Sequence, residues 1–273
     1  MRVLATARTL SAQIALTSLG AEPLYTDLEN LAEWTAEAAD VEVIFHLGLP
    51  RLDPPVRRGA ARRRAGPAAR GADALATLAG RRPIVMLSTA LAYGDRDSAA
   101  VDDDAAVSVP ALAAAAVAAE GALAGSSPRI VRVPWVYGPG GLARDVIIGL
   151  RTRRFKMVGP GRNRWALLHA DDAADALLAV RDLPPGVYSA AEADVPTQSD
   201  VVRAVCTVPG HPAPDHLPPG LAAVSMGGAM SQALALSLWT RTGRLSDTGW
   251  TPAHDWRRDV VSLAEGFLPL PGR

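Results

Sequence analysis

The chain has 273 residues, 49% of them hydrophobic, with 28 basic and 28 acidic side chains. That length and apolar content suffice for one substantial core with a smaller lobe, and the balanced charge gives no electrostatic footprint for nucleic acid or an anionic membrane. The single cysteine, Cys206, excludes an internal disulfide framework, and no apolar run reaches the roughly 20 residues of a membrane span.

In chain order, "MRVLATA" reads as a short buried strand, followed by a helix over 9–19 and a turn at Gly20. Arg2 and Arg8 interrupt the N-terminal apolar content, which argues against a secretory signal and for a cytoplasmic protein. "EPLYTD" is a second strand, 28–38 a second helix, and "VEVIFHLG" a third strand. Residues 54–80 form a basic helical region interrupted at Gly66 and Pro67, whose arginine run at 57–70 reads as a charged, solvated face. "RPIVMLST" is the next strand. The run Asp102, Asp103 and Asp104 reads as a solvated acidic loop, with no histidine or cysteine nearby to make it a metal site. An alanine-rich helix over 110–124 follows, then the strand "RIVRVPWV". Beyond 145 the elements are shorter and mixed, with a proline-rich loop at 209–220 leading into a late apolar helix. Strands alternating with helices imply a parallel sheet covered on both faces. The expected architecture is α/β, a Rossmann-like doubly wound sheet over 1–145, with 146–273 mainly a substrate-binding lobe whose returning segments pack on the sheet.

Five segments, in this order, carry a resemblance. "VIFHLG", "LSTALAYG", "VRVPWVYGPGG", "GPGRNRWALLHADDAADALLAV" and "LSDTGWTPAHDW" resemble elements of the extended short-chain dehydrogenase/reductases, the NAD-dependent sugar epimerases and dehydratases. That resemblance implies a dinucleotide held at GxxGxxG after the first strand, where missing side chains let backbone amides reach the pyrophosphate. The corresponding residues here are Ala7, Leu10 and Gln13. "YTDLENL" resembles the family's third strand and its turn, so the second strand and helix are read as deleted, with Asp27 an N-cap rather than an adenine ligand. The family's catalytic tyrosine and lysine, four apart on one helix, fall on Leu112 and Ala116, neither of which can transfer a proton. No cofactor and no metal is therefore expected.

The resemblance leaves a candidate pocket. Thr89 matches a hydroxyl that bonds substrate, with Ser88 beside it. Trp135 replaces the usual asparagine and favours a flatter, more apolar ligand, and Tyr137 flanks it. With lysine absent, Tyr137 suits hydrogen-bond or proton donation, and His169 is the remaining base candidate, although a structural role is the preferred reading of that histidine. Arg164 matches a position that contacts an anionic group, and Met226 is a further lining candidate, with Met230 and Trp239 nearby. His46 reads as a packed strand histidine. Catalysis is thus assigned to Thr89, Tyr137 and His169, and binding to Ser88, Trp135, Arg164 and Met226.

Three functions remain open at this stage. The first is a cofactor-independent catalyst of cyclisation, elimination or isomerisation of an apolar small molecule in a bacterial biosynthetic pathway. The second is a pseudoenzyme that binds a ligand or partner protein. The third is an NAD(P)-dependent epimerase or reductase with aberrant motifs. An open pocket lined by Thr89, Trp135 and Tyr137 would favour the first, and a filled one with apolar surface elsewhere the second. A homodimer through the helix at 110–124 is expected, because small alanines permit close helix approach.

Overall fold

The computed structural model describes residues 2–26, 38–48 and 55–267. Its N-terminal unit is β1 (Leu4–Ala7), α1 (Leu10–Ser18) and β2 (Glu22–Tyr25), with β1 and β2 paired in parallel. The Thr9 hydroxyl caps α1 by accepting from the Ala12 N–H at 3.2 Å, and Gly20, at φ +81°, turns the chain out of it. Helix α1 buries no side chain, and Leu10, Ile14 and Leu19 are 69%, 63% and 82% exposed. Among the described residues, no strand pairing joins this unit to the main sheet. The helix expected over 28–38 and the cap at Asp27 fall largely outside the described residues.

The main sheet uses β3 (Ile44–His46), β4 (Ile84–Thr89), β6 (Arg129–Val133) and β10 (Gly186–Ser189), in the order β3-β4-β6-β10, all parallel. Alternation along β4 sends Ile84 and Met86 to one face and Val85 and Leu87 to the other. The first face is covered by α3 (Ala65–Ala79) and α4 (Ala114–Leu123), through Ala72, Leu75, Ala79, Ala119 and Leu123. Alanine on both helices lets them close on each other and on the sheet. The larger buried side chains contribute about 1.5–3 kcal/mol each. The second face is covered by α6 (Ala170–Val180), which contributes Ala173, Ala176, Leu177 and Val180. β10 comes from the second half of the sequence, so that half supplies a strand of the sheet as well as the lobe.

Three expected elements are divided, each for a local reason. The basic region breaks at Arg64 into α2 (Arg58–Arg63) and α3, so Gly66 and Pro67 fall in the first turn of α3, where proline's missing N–H costs nothing. The strand "RIVRVPWV" breaks at Pro134, which cannot donate to a ladder. β7 (Trp135–Tyr137) leaves the main sheet and pairs with β9 (Leu167–His169). The late apolar helix becomes α8 (Pro219–Met226) and α9 (Gly228–Ala235), separated at Gly227. There φ is +85°, and a Cβ would lie 2.3 Å from the Val56 carbonyl oxygen, so only glycine fits.

The lobe is built by α5 (Gly141–Arg151), α7 (Gln198–Cys206) and α10 (Trp256–Gly266) around β7 and β9, with Val146, Ile147, Leu150, Trp165, Val201, Val205 and Val260 in its core. Two short parallel pairs complete it. β8 (Met157–Val158) joins β11 (His216–Leu217) inside the proline-rich loop, and β5 (Ala100–Val101) joins β12 (Trp239–Thr240). Among the described residues no helix is long and apolar enough to cross a membrane.

The acidic run differs from its reading as a solvated loop. Asp103 is 6% exposed, and its carboxylate accepts from the backbone N–H of Ser189 at 2.5 Å and of Arg244 at 2.6 Å. One short acidic side chain therefore ties the end of β10 to the segment after β12. Asp104, by contrast, is exposed and pairs with the Arg244 side chain. The arginines at 57–64 and Arg70 are exposed, as a charged face requires.

Candidate functional site

The structure first decides what fills the expected pocket. Leu112 lies in the turn before α4 and packs against two apolar clusters, one containing Ala113, Ala233 and Leu236, the other Val56, Ala111 and Ala229. Ala116, one helical turn on, is 3% exposed. Trp135 bridges the first of these clusters to the lobe core and lies 5.9 Å from the Trp165 ring. Where the resembled family places a phenol and an ammonium group, this chain has packed hydrocarbon.

The segment after β1 departs from the glycine-rich pattern that the resemblance implies for a dinucleotide cradle. Thr9 already takes the Ala12 N–H at the start of α1, an amide that a bound phosphate would require, and Leu10 projects an exposed isobutyl group from the first turn. No residue of Ala7, Leu10 and Gln13 offers the backbone clearance of a glycine. The residues present do not fit a dinucleotide.

Ser88 and Thr89 end β4 in different environments. Ser88 is fully buried and donates to Glu120 on α4, whose carboxylate also takes a bidentate contact from Arg132 on β6 at 3.0 and 2.6 Å. Burial alone would pull the Arg132 pKa down, but the hydrogen bond and charge of Glu120 outweigh it and raise it, so Arg132 stays charged. The Arg132 guanidinium lies 5.0 Å over the Tyr93 ring, and the Tyr93 hydroxyl meets Ser189 Oγ at 3.1 Å. Thr89 accepts from the Leu91 N–H at 3.2 Å and closes its strand, the bland role for such a residue. Ser88 thus belongs to a closed polar network rather than to a ligand surface.

Tyr137 and His169 are brought together. They are register partners on β7 and β9, with rings edge-on at 5.1 Å, and His169 stacks on His254 at 3.7 Å. His169 Nδ1 accepts from the Asp171 N–H at 3.2 Å and caps α6, which commits the lone pair a general base would use. Asp171 joins the two histidines in a potential metal-ligand group. However, the committed Nδ1 and the near-parallel rings do not present converging lone pairs. Asp172, 2% exposed, accepts from the Ala253 and His254 N–H groups and so holds the loop before α10.

Beside this stack lies Glu192, which the sequence reading did not single out. It is 4% exposed, and its Oε2 accepts from the Trp256 N–H at 2.9 Å. Burial pushes its pKa up to about 7, with Asp255 and Asp172 adding to the rise and Tyr137 and the Trp256 amide opposing it. Burial, then the carboxylates of Glu192, Asp259 and Asp172, push the Tyr137 phenol well above its ordinary value, so it stays protonated and does not serve as a base. The Tyr137 hydroxyl and Glu192 Oε1 are both buried without a completed hydrogen bond, while each affects the other's ionisation. The signal was an acid, two residues before Asp194, in the small-residue run "SAAEADV" at the end of a strand, a pattern that equally suits a turn. The space next to Tyr137 is an apolar cavity of about 20 Å³, room for a water and not for a substrate.

The other candidates are dispersed. The Arg164 guanidinium donates to the Val195 carbonyl at 2.8 Å and lies over the Trp239 ring. Met226 packs on the lobe core, and its carbonyl accepts from the Val56 N–H at 2.8 Å. Met230 packs on the same core, and His46 is 5% exposed, its pKa lowered by burial.

The profile of the NAD dependent epimerase/dehydratase family matches residues 5–191, more than half of the chain. The chain belongs to that family. Its fold is shared with a human epimerase family protein solved with NADPH, at 18% identity, TM-score 0.76, covering 98% of this chain and 100% of that one. It is also shared with UDP-glucuronic acid 4-epimerase from Bacillus cereus in complex with UDP-glucuronic acid and NAD, at 14% identity, TM-score 0.75, with 98% and 100% covered. A functionally unknown conserved protein from Silicibacter pomeroyi is similar at 22% identity, TM-score 0.68, with 97% and 90% covered. At these identities the likeness establishes the fold. No curated protein sequence matches the chain. This member of the family thus has apolar side chains, Leu112 and Ala116, at the positions that the resemblance gives to the proton-transfer pair.

Proposed function

We propose that this chain is a non-redox member of the epimerase/dehydratase family that binds a small molecule and does not use NAD(P)(H). The observation that carries this reading is the packing of half-buried Leu112 against two apolar clusters, and the burial of Ala116, at the positions that the resemblance gives to the family's tyrosine and lysine. Hydride chemistry in this fold needs a proton-transfer group beside the nicotinamide, and a leucine and an alanine side chain carry no proton to transfer. Exposed Leu10, Ile14 and Leu19 on α1, at the position of the cradle, point the same way. The relatives solved with NADPH or NAD support the opposite outcome, so the test is direct. Calorimetric titration of the purified chain with NADH and NADPH should give no saturable heat, and binding at micromolar concentration would overturn the proposal.

One observation supports a second reading, catalysis without a cofactor. Glu192, with a pKa of about 7 beside a protonated Tyr137 and near His169, has the acid/base character of a catalytic pair. The 20 Å³ cavity at Tyr137 weighs against it, since a substrate would need the lobe core to open. The hydroxyl of Thr89 is taken by the Leu91 N–H rather than by this pair, so the binding reading is the stronger. The small alanines of the helix at 110–124, which includes α4, support a homodimer through that helix.

A further inference from the structure

A crevice of about 520 Å³ lies among the start of α2, the loop after Tyr93, and helices α8 and α9. It exists because two backbone hydrogen bonds, Val56 N–H to Met226 O at 2.8 Å and Ala229 N–H to Val56 O at 2.9 Å, hold the chain before α2 against the α8–α9 turn. Gly220, Ala223, Gly228 and Ala235 then leave the space between unfilled. Its volume falls in the range of small-molecule sites.

Two side chains give the crevice its chemistry. Arg58 and Asp95 both line it, yet they form no ion pair with each other, and among the described residues Arg58 has no charged or hydrogen-bonded partner. Asp95 spends Oδ1 on the Asp97 N–H at 3.1 Å, which leaves Oδ2 available. Ser231, 3% exposed, donates to the Pro219 carbonyl at 2.9 Å and keeps its lone pairs. Pro219, Ala223, Ala235 and Leu236 supply apolar wall. Opposite charges that bound one space without neutralising each other are complementary to a ligand that carries both signs.

We propose that this crevice binds a small zwitterion with an apolar body, its carboxylate on Arg58 and its ammonium group on Asp95. The inference rests on the reading of the chain as a ligand-binding protein, and the two fail separately, because dinucleotide titration does not probe this crevice. Three probes share one apolar body: L-phenylalanine carries both charges, 3-phenylpropanoate the carboxylate alone, and 2-phenylethylamine the ammonium alone. Ligand-observed NMR titration of the full chain should show phenylalanine binding about three- to fivefold tighter than either, the size expected of solvent-exposed ion pairs. Arg58→Gln should weaken phenylalanine and phenylpropanoate by that factor and leave phenylethylamine unchanged, and Asp95→Asn should weaken phenylalanine and phenylethylamine instead. Ala223→Trp, which fills the space from a partly exposed helix position, should remove binding of all three. Absence of saturable binding up to roughly 10 mM, equal affinity for the three probes, or indifference to Ala223→Trp would each overturn the proposal.

Discussion

Replacing Glu192 by glutamine tests the buried acid at the junction of the sheet and the lobe. An ordinary glutamate titrates at 4.5, and burial holds this one at about 7. Between those two values the native state binds more protons than the unfolded state, so stability from this group is full below about pH 4.5 and is lost as pH rises through 7. Each tenfold change in proton affinity amounts to about 1.4 kcal/mol, so the loss across the window is about 3 kcal/mol. Glu192 is only 4% exposed, which leaves little solvent to screen the effect. Glutamine keeps an acceptor for the Trp256 N–H and presents its amide to the Tyr137 hydroxyl, so the neutral form should be replaced at small cost. Urea unfolding at pH 4.5 and pH 8, at fixed ionic strength, gives the quantity needed. The Glu192→Gln variant should match the parent at the lower pH and exceed it by about 2–3 kcal/mol at the higher, roughly 5–10 °C in Tm. Parallel pH profiles for the two proteins would refute the reasoning, because they would mean that Glu192 titrates alike folded and unfolded.

Glu120→Ala should cost about 3–5 kcal/mol by urea unfolding, since it strands the buried Arg132 cation, and Glu120→Ala with Arg132→Met should recover most of that loss. A loss below about 1 kcal/mol for the single variant would mean that the pair is solvated in solution. Multi-angle light scattering at micromolar concentration should give twice the chain mass, and a monomer would remove the helix at 110–124 as an interface.

Much of the architecture was legible in the sequence because it depends on local patterns. The period-2 apolar run "IVMLST" sets which face of β4 meets the helices, alanine at 72, 79 and 119 sets how closely they approach, and the replacements at Ala7, Leu10, Gln13, Leu112 and Ala116 are visible as letters. The divisions of elements were partly legible too: Pro134 and Gly227 are breakers, but only contact shows what each break achieves. The sequence did not reveal that the strand leaving Pro134 would pair with β9, or that the α8–α9 turn would press so closely on Val56 that a Cβ cannot fit.

The candidate site was less legible, for the reason that burial and pairing are properties of distant residues meeting. Asp103 reads as one member of an acidic loop until Ser189 and Arg244, 86 and 141 positions away, bring it their amides. Glu192 is an unremarkable acid until Tyr137, Asp172 and the Trp256 amide surround it and water is excluded, at which point the cost of its charge rises and its proton affinity follows. Tyr137 and Thr89 looked like neighbours because both follow strands that end toward one edge, yet β7 departs with β9 and carries Tyr137 into the lobe core. The sequence by itself determined the family, the covered parallel sheet and the loss of the proton-transfer pair, since each is written in residue type and spacing. Which polar groups are sealed together, and where open volume remains, was decided only by the tertiary structure, because desolvation and cavity shape depend on every element that packs around a group.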